Sequence, residues 1–257
     1  MKVTMITGAT GGLGREFCKL YAQDKNNLFL VATSDEKLAL LKEEIERIYG
    51  VSVDCKKADL SKKEECDKVV AYVKEKGYFV NNLVNNAGFG NQSDFKDMDL
   101  ELQIKMLNVN CMALMHFTRS FIGEMLEKNE GRIINVGSIA SFMPGPYMST
   151  YHASKAFVLY LSEAIAHEVR KSKVRVLTLC PGPFDSGFVG TAGNEYTFSK
   201  IKPCPAEKVA KYAYKKSKKG KRIAVVGFKN KLTTFAPRFF SRKFVTSITG
   251  SLGKKGG

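Results

Sequence analysis

Seven short apolar runs alternate with stretches of helical periodicity along the chain, and that alternation limits the folds open to it. The runs are residues 3–7, 28–32, 51–55, 83–84, 132–136, 174–179 and 222–226. Residues 28–32, Leu-Phe-Leu-Val-Ala, have no polar side chain to offer water, as in a strand covered on both faces. Between the runs, residues 35–49 place Leu38, Leu41, Ile45 and Ile48 on one side of a helix. Helices are also expected over 13–23, 100–127, 150–171 and 206–216, and one with Ser61 as its N-cap. Strands and helices in strict alternation predict an α/β fold with a parallel sheet covered on both faces. Right-handed crossovers favour a Rossmann-type, doubly wound sheet of order 3-2-1-4-5-6, with the seventh strand at the edge. Nothing interrupts the pattern before about residue 228. Residues 1–227 read as a single domain and 228–257 as a basic, aromatic-containing extension.

In such a sheet, ligands bind at the carboxyl ends of the strands. The first strand ends in Thr7-Gly8-Ala9-Thr10-Gly11-Gly12-Leu13-Gly14, which opens the first helix. Glycines permit the tight turn and let backbone N–H groups approach a pyrophosphate at the helix N-terminus. The spacing, with Gly8, Gly12 and Gly14 as its fixed points, is Gly-x-x-x-Gly-x-Gly and departs from the common G-x-G-x-x-G fingerprint. A tight strand-to-helix turn without a ligand is the plain alternative. Downstream, Tyr151 and Lys155 stand four residues apart, one helical turn. A free phenol has a pKa near ~10. A neighbouring cation favours the phenolate and suits a tyrosine to proton transfer near neutral pH. A solvated surface pair has the same spacing.

Thr7–Gly14, Asn85-Asn86-Ala87-Gly88, Asn110, Ser138, the Tyr151/Lys155 pair and Pro181-Gly182 occur together and in this order. In this the chain resembles the short-chain dehydrogenase/reductase family over about residues 1–227. The resemblance implies a nicotinamide-dependent oxidoreductase acting on a carbonyl or alcohol. It casts Tyr151 as general acid or base and Ser138 as the hydroxyl that steadies the substrate oxygen. Lys155 would tune Tyr151 and bind the nicotinamide ribose, and Asn110 would hold a water that relays protons. Ser138 also reads as a strand-end cap and Asn110 as a buried polar group, with Asn108 its rival. The cofactor contacts implied are Gly8, Thr10, Gly12, Leu13, Gly14, Thr33, Ser34, Asp59, Leu60, Asn86, Ala87, Gly88, Tyr151, Lys155, Pro181 and Gly182. Asp59 would meet adenine, a helix-start cap being its alternative. The second strand ends in Ala32-Thr33-Ser34-Asp35, with neither the acid common in NAD enzymes nor the arginine common in NADP enzymes. Without an acid to repel a 2′-phosphate, and with Thr33, Ser34 and Lys37 to bind one, the preference falls to NADP(H), NAD(H) being the alternative. Homodimers or homotetramers are a family expectation.

Two stretches are expected to cover a hydrophobic substrate: residues 142–148, and a loop over 183–205 that carries Phe184, Phe188, Tyr196 and Phe198. His152 is expected to be structural or at the surface, with the cleft as the alternative. The net charge is +16, and no acidic residue follows Glu207. The extension has Phe235, Phe239, Phe240, Phe244, Val245 and Ile248 among basic residues, which suits a helix on anionic lipid, over the substrate mouth or in a subunit interface. A nucleic-acid-binding module would rest on charge alone and is not expected. A nucleotide sensor without turnover is the reading from another class. Six cysteines without a C-x-x-C pair, beside three histidines, fit free thiols and no metal site. The first run begins almost at Met1 and no run approaches ~20 apolar residues. A cytoplasmic protein is expected, at most peripheral to a membrane.

Overall fold

The computed structural model describes residues 1–185 and 203–253. Seven parallel strands form one sheet in the order β3-β2-β1-β4-β5-β6-β7. They are β1 (Lys2–Thr7), β2 (Leu28–Ala32), β3 (Val53–Lys57), β4 (Phe79–Asn85), β5 (Arg132–Val136), β6 (Arg175–Cys180) and β7 (Ile223–Val225). The expected order is met. The third strand begins two residues later than expected, because its register pairs Leu28 with Val53.

One face is covered by α1 (Gly12–Gln23), α2 (Asp35–Tyr49) and α7 (Ala206–Lys218). The other carries α3 (Lys63–Glu75), α5 (Leu114–Glu127) and the end of α6 (Ser149–Glu168). Side chains alternate across the sheet: Leu28 and Leu30 enter the first core, Phe29 and Val31 the second. All five residues of β2 are buried, as its unbroken apolar sequence requires. All six cysteines are free.

Two local features depart from expectation. The expected helix over 100–127 is α4 (Leu100–Leu107) and α5 joined by a π turn, Asn108–Ala113. Ser61 does not cap α3. Lys62 stands at the cap, and the Ser61 hydroxyl donates to Asp59 Oδ1 at 2.7 Å.

The residues after β7 form α8 (Phe228–Phe235), a 3-10 turn (Ala236–Phe239) and α9 (Arg242–Gly253). Pro237 in the first turn of that 3-10 segment separates the two helices. Phe188, Tyr196 and Phe198 lie outside the described residues. The two ends of their segment are pinned together, Asp185 N donating to Cys204 O at 3.0 Å and Cys204 N to Pro183 O at 3.1 Å.

Candidate active site

A cleft of about 870 Å³ runs across the carboxyl ends of β1, β2, β4, β5 and β6. At one end lies the glycine turn. Gly8 has φ of +62°, a region that favours glycine, and a Cβ there would meet Ala87 Cα at 3.0 Å. A Cβ on Gly14 would overlap the Gly8 carbonyl. Gly11 stands at the N-cap of α1 without a side-chain cap, and no acid occupies the first turn. Those free N–H groups, at the positive end of a helix, suit a pyrophosphate. The cradle and the long cleft therefore fit a dinucleotide.

Asn86 and Ala87 brace this turn. Their N–H groups donate to Thr7 Oγ1 at 3.0 and 3.1 Å, and Asn86 Nδ2 donates to the Thr7 and Gly8 carbonyls. Beneath them, Asn85 Nδ2 donates to Asn135 Oδ1 at 2.8 Å, and Asn135 Nδ2 to Ser162 Oγ at 2.9 Å. This buried amide ladder ties β4 to β5 and α6.

Gly8, Thr10, Gly12, Leu13, Thr33, Asp59, Leu60, Asn86, Ala87, Gly88, Pro181 and Gly182 all line the cleft. Gly14 lies behind the turn as a packing glycine. The Ser34 hydroxyl accepts from Lys37 N at 3.3 Å and caps α2, and Asp35 turns to Lys57 at 3.5 Å. For Asp59, burial works against ionisation. The bonds from Ser61, with Lys105 at 3.9 Å, nevertheless hold its carboxyl below the usual range.

At the far end, α6 brings Tyr151 and Lys155 to the cleft floor beside Ser138, at the end of β5. The Lys155 ammonium donates to the Val136 carbonyl at 2.9 Å and lies 5.7 Å from the centre of the Tyr151 ring. Ser138 has two duties. Its hydroxyl accepts from Ala140 N at 3.1 Å as the cap of a 3-10 turn, and it hydrogen-bonds Tyr151. Burial pushes the Tyr151 phenol up to about 12, against the pull of the Ser138 bond. Burial pulls Lys155 down to about 8. Burial of the phenol thus works against the lowering expected from Lys155.

Asn110, not Asn108, lies next to this site, buried behind its lining with Gly88 against its carbonyl. Its amide donates to Phe89 O and Ser154 Oγ, and its carbonyl accepts from Phe89 N. Asn108 instead donates to Ser61 O. His152 is structural, its Nδ1 bonded to Met143 O at 2.8 Å, and burial holds the ring below its ordinary pKa.

The cleft also includes residues not foreseen, Phe89, Lys105, Val109 and Ile139, beside Met148 from the expected 142–148 stretch. Lys105 and Val109 stand one helical turn apart just before Asn110, so their spacing carried a readable signal. Asn230 of α8 packs on Gly182, where a Cβ would meet its amide. The extension therefore braces the Pro181-Gly182 turn.

A nucleotide crevice that ends on a buried phenol and ammonium defines a class, the dinucleotide-dependent oxidoreductases. The family model described as short chain dehydrogenase matches residues 2–197. Among curated relatives, the very-long-chain 3-oxoacyl-CoA reductase of Laccaria bicolor is 36% identical over 179 residues, 67% of this chain and 52% of that protein. The 7beta-hydroxysteroid dehydrogenase of Mediterraneibacter gnavus is 31% identical over 69% of this chain and 67% of that protein. The match thus spans about half the length of the Laccaria reductase, and 58% of its counterpart from Anas platyrhynchos. In fold, the chain is similar to a short-chain dehydrogenase from Sphingobium yanoikuyae in complex with NADPH. That likeness has a TM-score of 0.85 at 24% identity and covers 93% of each chain. An alcohol dehydrogenase from Thermococcus sibiricus complexed with 5-hydroxy-NADP has a TM-score of 0.76 at 26% identity, over 88% of this chain and 95% of that one. The chain belongs to the short-chain dehydrogenase family.

Proposed function

We propose that the protein is an NADP(H)-preferring carbonyl reductase or alcohol dehydrogenase for hydrophobic substrates, with lipid-like or acyl-derived carbonyls favoured. The observation that carries this reading is the meeting of Ser138, Tyr151 and Lys155 at one end of the cleft, beside the apolar side chains of Phe89, Ile139, Met148 and Phe184.

A bound nicotinamide supplies or takes the hydride. Tyr151, protonated at neutral pH, donates its proton to the carbonyl oxygen during reduction and accepts it back during oxidation. Ser138 holds the substrate oxygen against Tyr151. Lys155, which gives one hydrogen to Val136, has two left for a ribose and for the developing phenolate. Both amide hydrogens of Asn110 are already donated, so its side chain has no hydrogen left to give the relay water expected there.

Preference for NADP(H) rests on the end of β2. Thr33 lines the cleft, Asp35 is paired to Lys57, and no free carboxylate stands ready to repel a 2′-phosphate. Relatives whose names refer to 3-oxoacyl-CoA and hydroxysteroid substrates support a bulky apolar carbonyl.

The test is consumption of NADPH with a panel of long-chain 3-oxo and steroid ketones, comparing the parent with Tyr151→Phe. The expected loss is on the order of 10³-fold. Equal rates would remove Tyr151 from the chemistry, and no turnover by the parent on any of the ketones would favour a nucleotide sensor.

A further inference from the structure

The outer faces of α8 and α9 are aromatic and basic. Phe228, Leu232, Phe235 and Phe239 follow one another at helical spacing and are 74%, 55%, 50% and 70% exposed. Phe240, Phe244, Ile248 and Leu252 continue at four-residue steps, all exposed. The stripes meet at consecutive residues, Phe239 and Phe240. Ring centroids lie 5.2 Å apart for Phe235 and Phe239, and 5.1 Å apart for Phe240 and Phe244. So much aromatic surface facing water marks an interaction site.

The stripes do not serve to hold the helices on the fold. Asn230 seats α8 on Gly182, Thr249 Oγ1 donates to Pro144 O at 2.8 Å, and Gln92 Nε2 donates to Gly253 O at 2.7 Å.

Charge selects the occupant. Lys229, Lys231, Arg238, Arg242 and Lys243 are exposed among the aromatic rings, and the sequence holds no acid after Glu207 to pair with them. A second copy laid on this face about a twofold axis would set cations against cations. An anionic bilayer meets both requirements, with phosphates for the basic groups and an acyl boundary for the rings. No described helix is long and apolar enough to cross a membrane. We propose that α8 and α9 dock the protein on an anionic phospholipid surface, lying in the interface plane. This docking is independent of the catalytic reading. It would place the 144–147 loop, held by α9 beside Tyr151, close to the lipid.

The experiment is sedimentation of the full chain with phosphatidylglycerol–phosphatidylcholine vesicles, against pure phosphatidylcholine, with NADPH binding followed by fluorescence as the control of fold. Binding to the anionic vesicles is expected, weakened at ~1 M salt. The double variant Phe239→Ser with Phe240→Ser should bind about tenfold or more weakly while its NADPH titration is unchanged. Equal partitioning of parent and variant, equal binding to both vesicle types, or no binding by the parent overturns the proposal. Binding to soluble polyglutamate without binding to vesicles assigns the face to an acidic protein and overturns it too. So does a dimer that the variant abolishes while vesicles stay unbound.

Discussion

Asn110 and the backbone of Phe89 grip each other reciprocally: the Asn110 amide donates to the Phe89 carbonyl at 2.9 Å, and the Phe89 N–H donates to the Asn110 carbonyl at 3.0 Å. This clamp joins the π turn between α4 and α5 to the chain leaving β4. It sets Gly88 between the amide and Lys155. Asn110→Ala leaves two backbone groups of Phe89 without partners. The expected loss of stability is about 2–3 kcal/mol, read from the urea midpoint. An unchanged midpoint would show that the clamp is replaceable.

Gly88 has room for hydrogen alone. A Cβ there would lie 2.9 Å from Asn110 Oδ1 and 3.3 Å from Lys155 Nζ. Gly88→Ala is expected to displace the ammonium and to weaken NADPH binding by about tenfold, with little change in thermal midpoint. Titration by fluorescence measures it, and wild-type affinity would contradict it.

The pH response of Lys155 has a definite sign. Burial lowers its pKa from 10.5 to about 8, so between those values the folded chain holds fewer protons than the unfolded one. Stability therefore rises with pH across that window, and the penalty for the buried charge is complete below it. Lys155→Met removes the penalty. The variant's stability relative to the parent should be greater near pH 7 than near pH 10.5, by about 3 kcal/mol. Of the buried thiols pushed above their ordinary range, Cys18 cancels from this difference, whereas Cys111 and Cys180 feel the Lys155 charge and share in it. Denaturant titrations at the two pH values decide it, and a constant gap would place Lys155 in water.

Thr33 lines the nucleotide cleft at the end of β2. Thr33→Asp supplies the acid that repels a 2′-phosphate and accepts from a 2′-hydroxyl. NADPH affinity is expected to fall by about tenfold or more while NADH affinity holds or improves. Parallel titrations measure both, and an unaltered ratio would move the discrimination elsewhere.

The sheet order and most of the site were legible in the sequence because both rest on short-range signals. Apolar runs such as residues 28–32 can sit only inside a covered sheet, and Gly8 and Gly14 mark places where backbone meets backbone. What escaped was decided by contacts distant in sequence. The apolar pattern from Leu100 to Glu127 reads as one helix, and the π turn coincides with the attachment of Asn110 to Phe89 and Ser154. Ser61 has the composition of a cap, but Asp59 takes its hydroxyl. The Tyr151/Lys155 spacing gave the pair but not its ionisation, because burial, which no spacing encodes, outweighs attraction. Asn85, Asn135 and Ser162 carried no periodic signal at all, since their ladder crosses three elements.

The pinning of Asp185 and Cys204 to each other has a consequence for how such an enzyme diversifies. Backbone bonds at the base of the segment fix its entry and exit and use no side chain of the residues between. Replacing the stretch between these anchors is therefore expected to alter which carbonyls are accepted and to leave the groups on β5 and α6 in place.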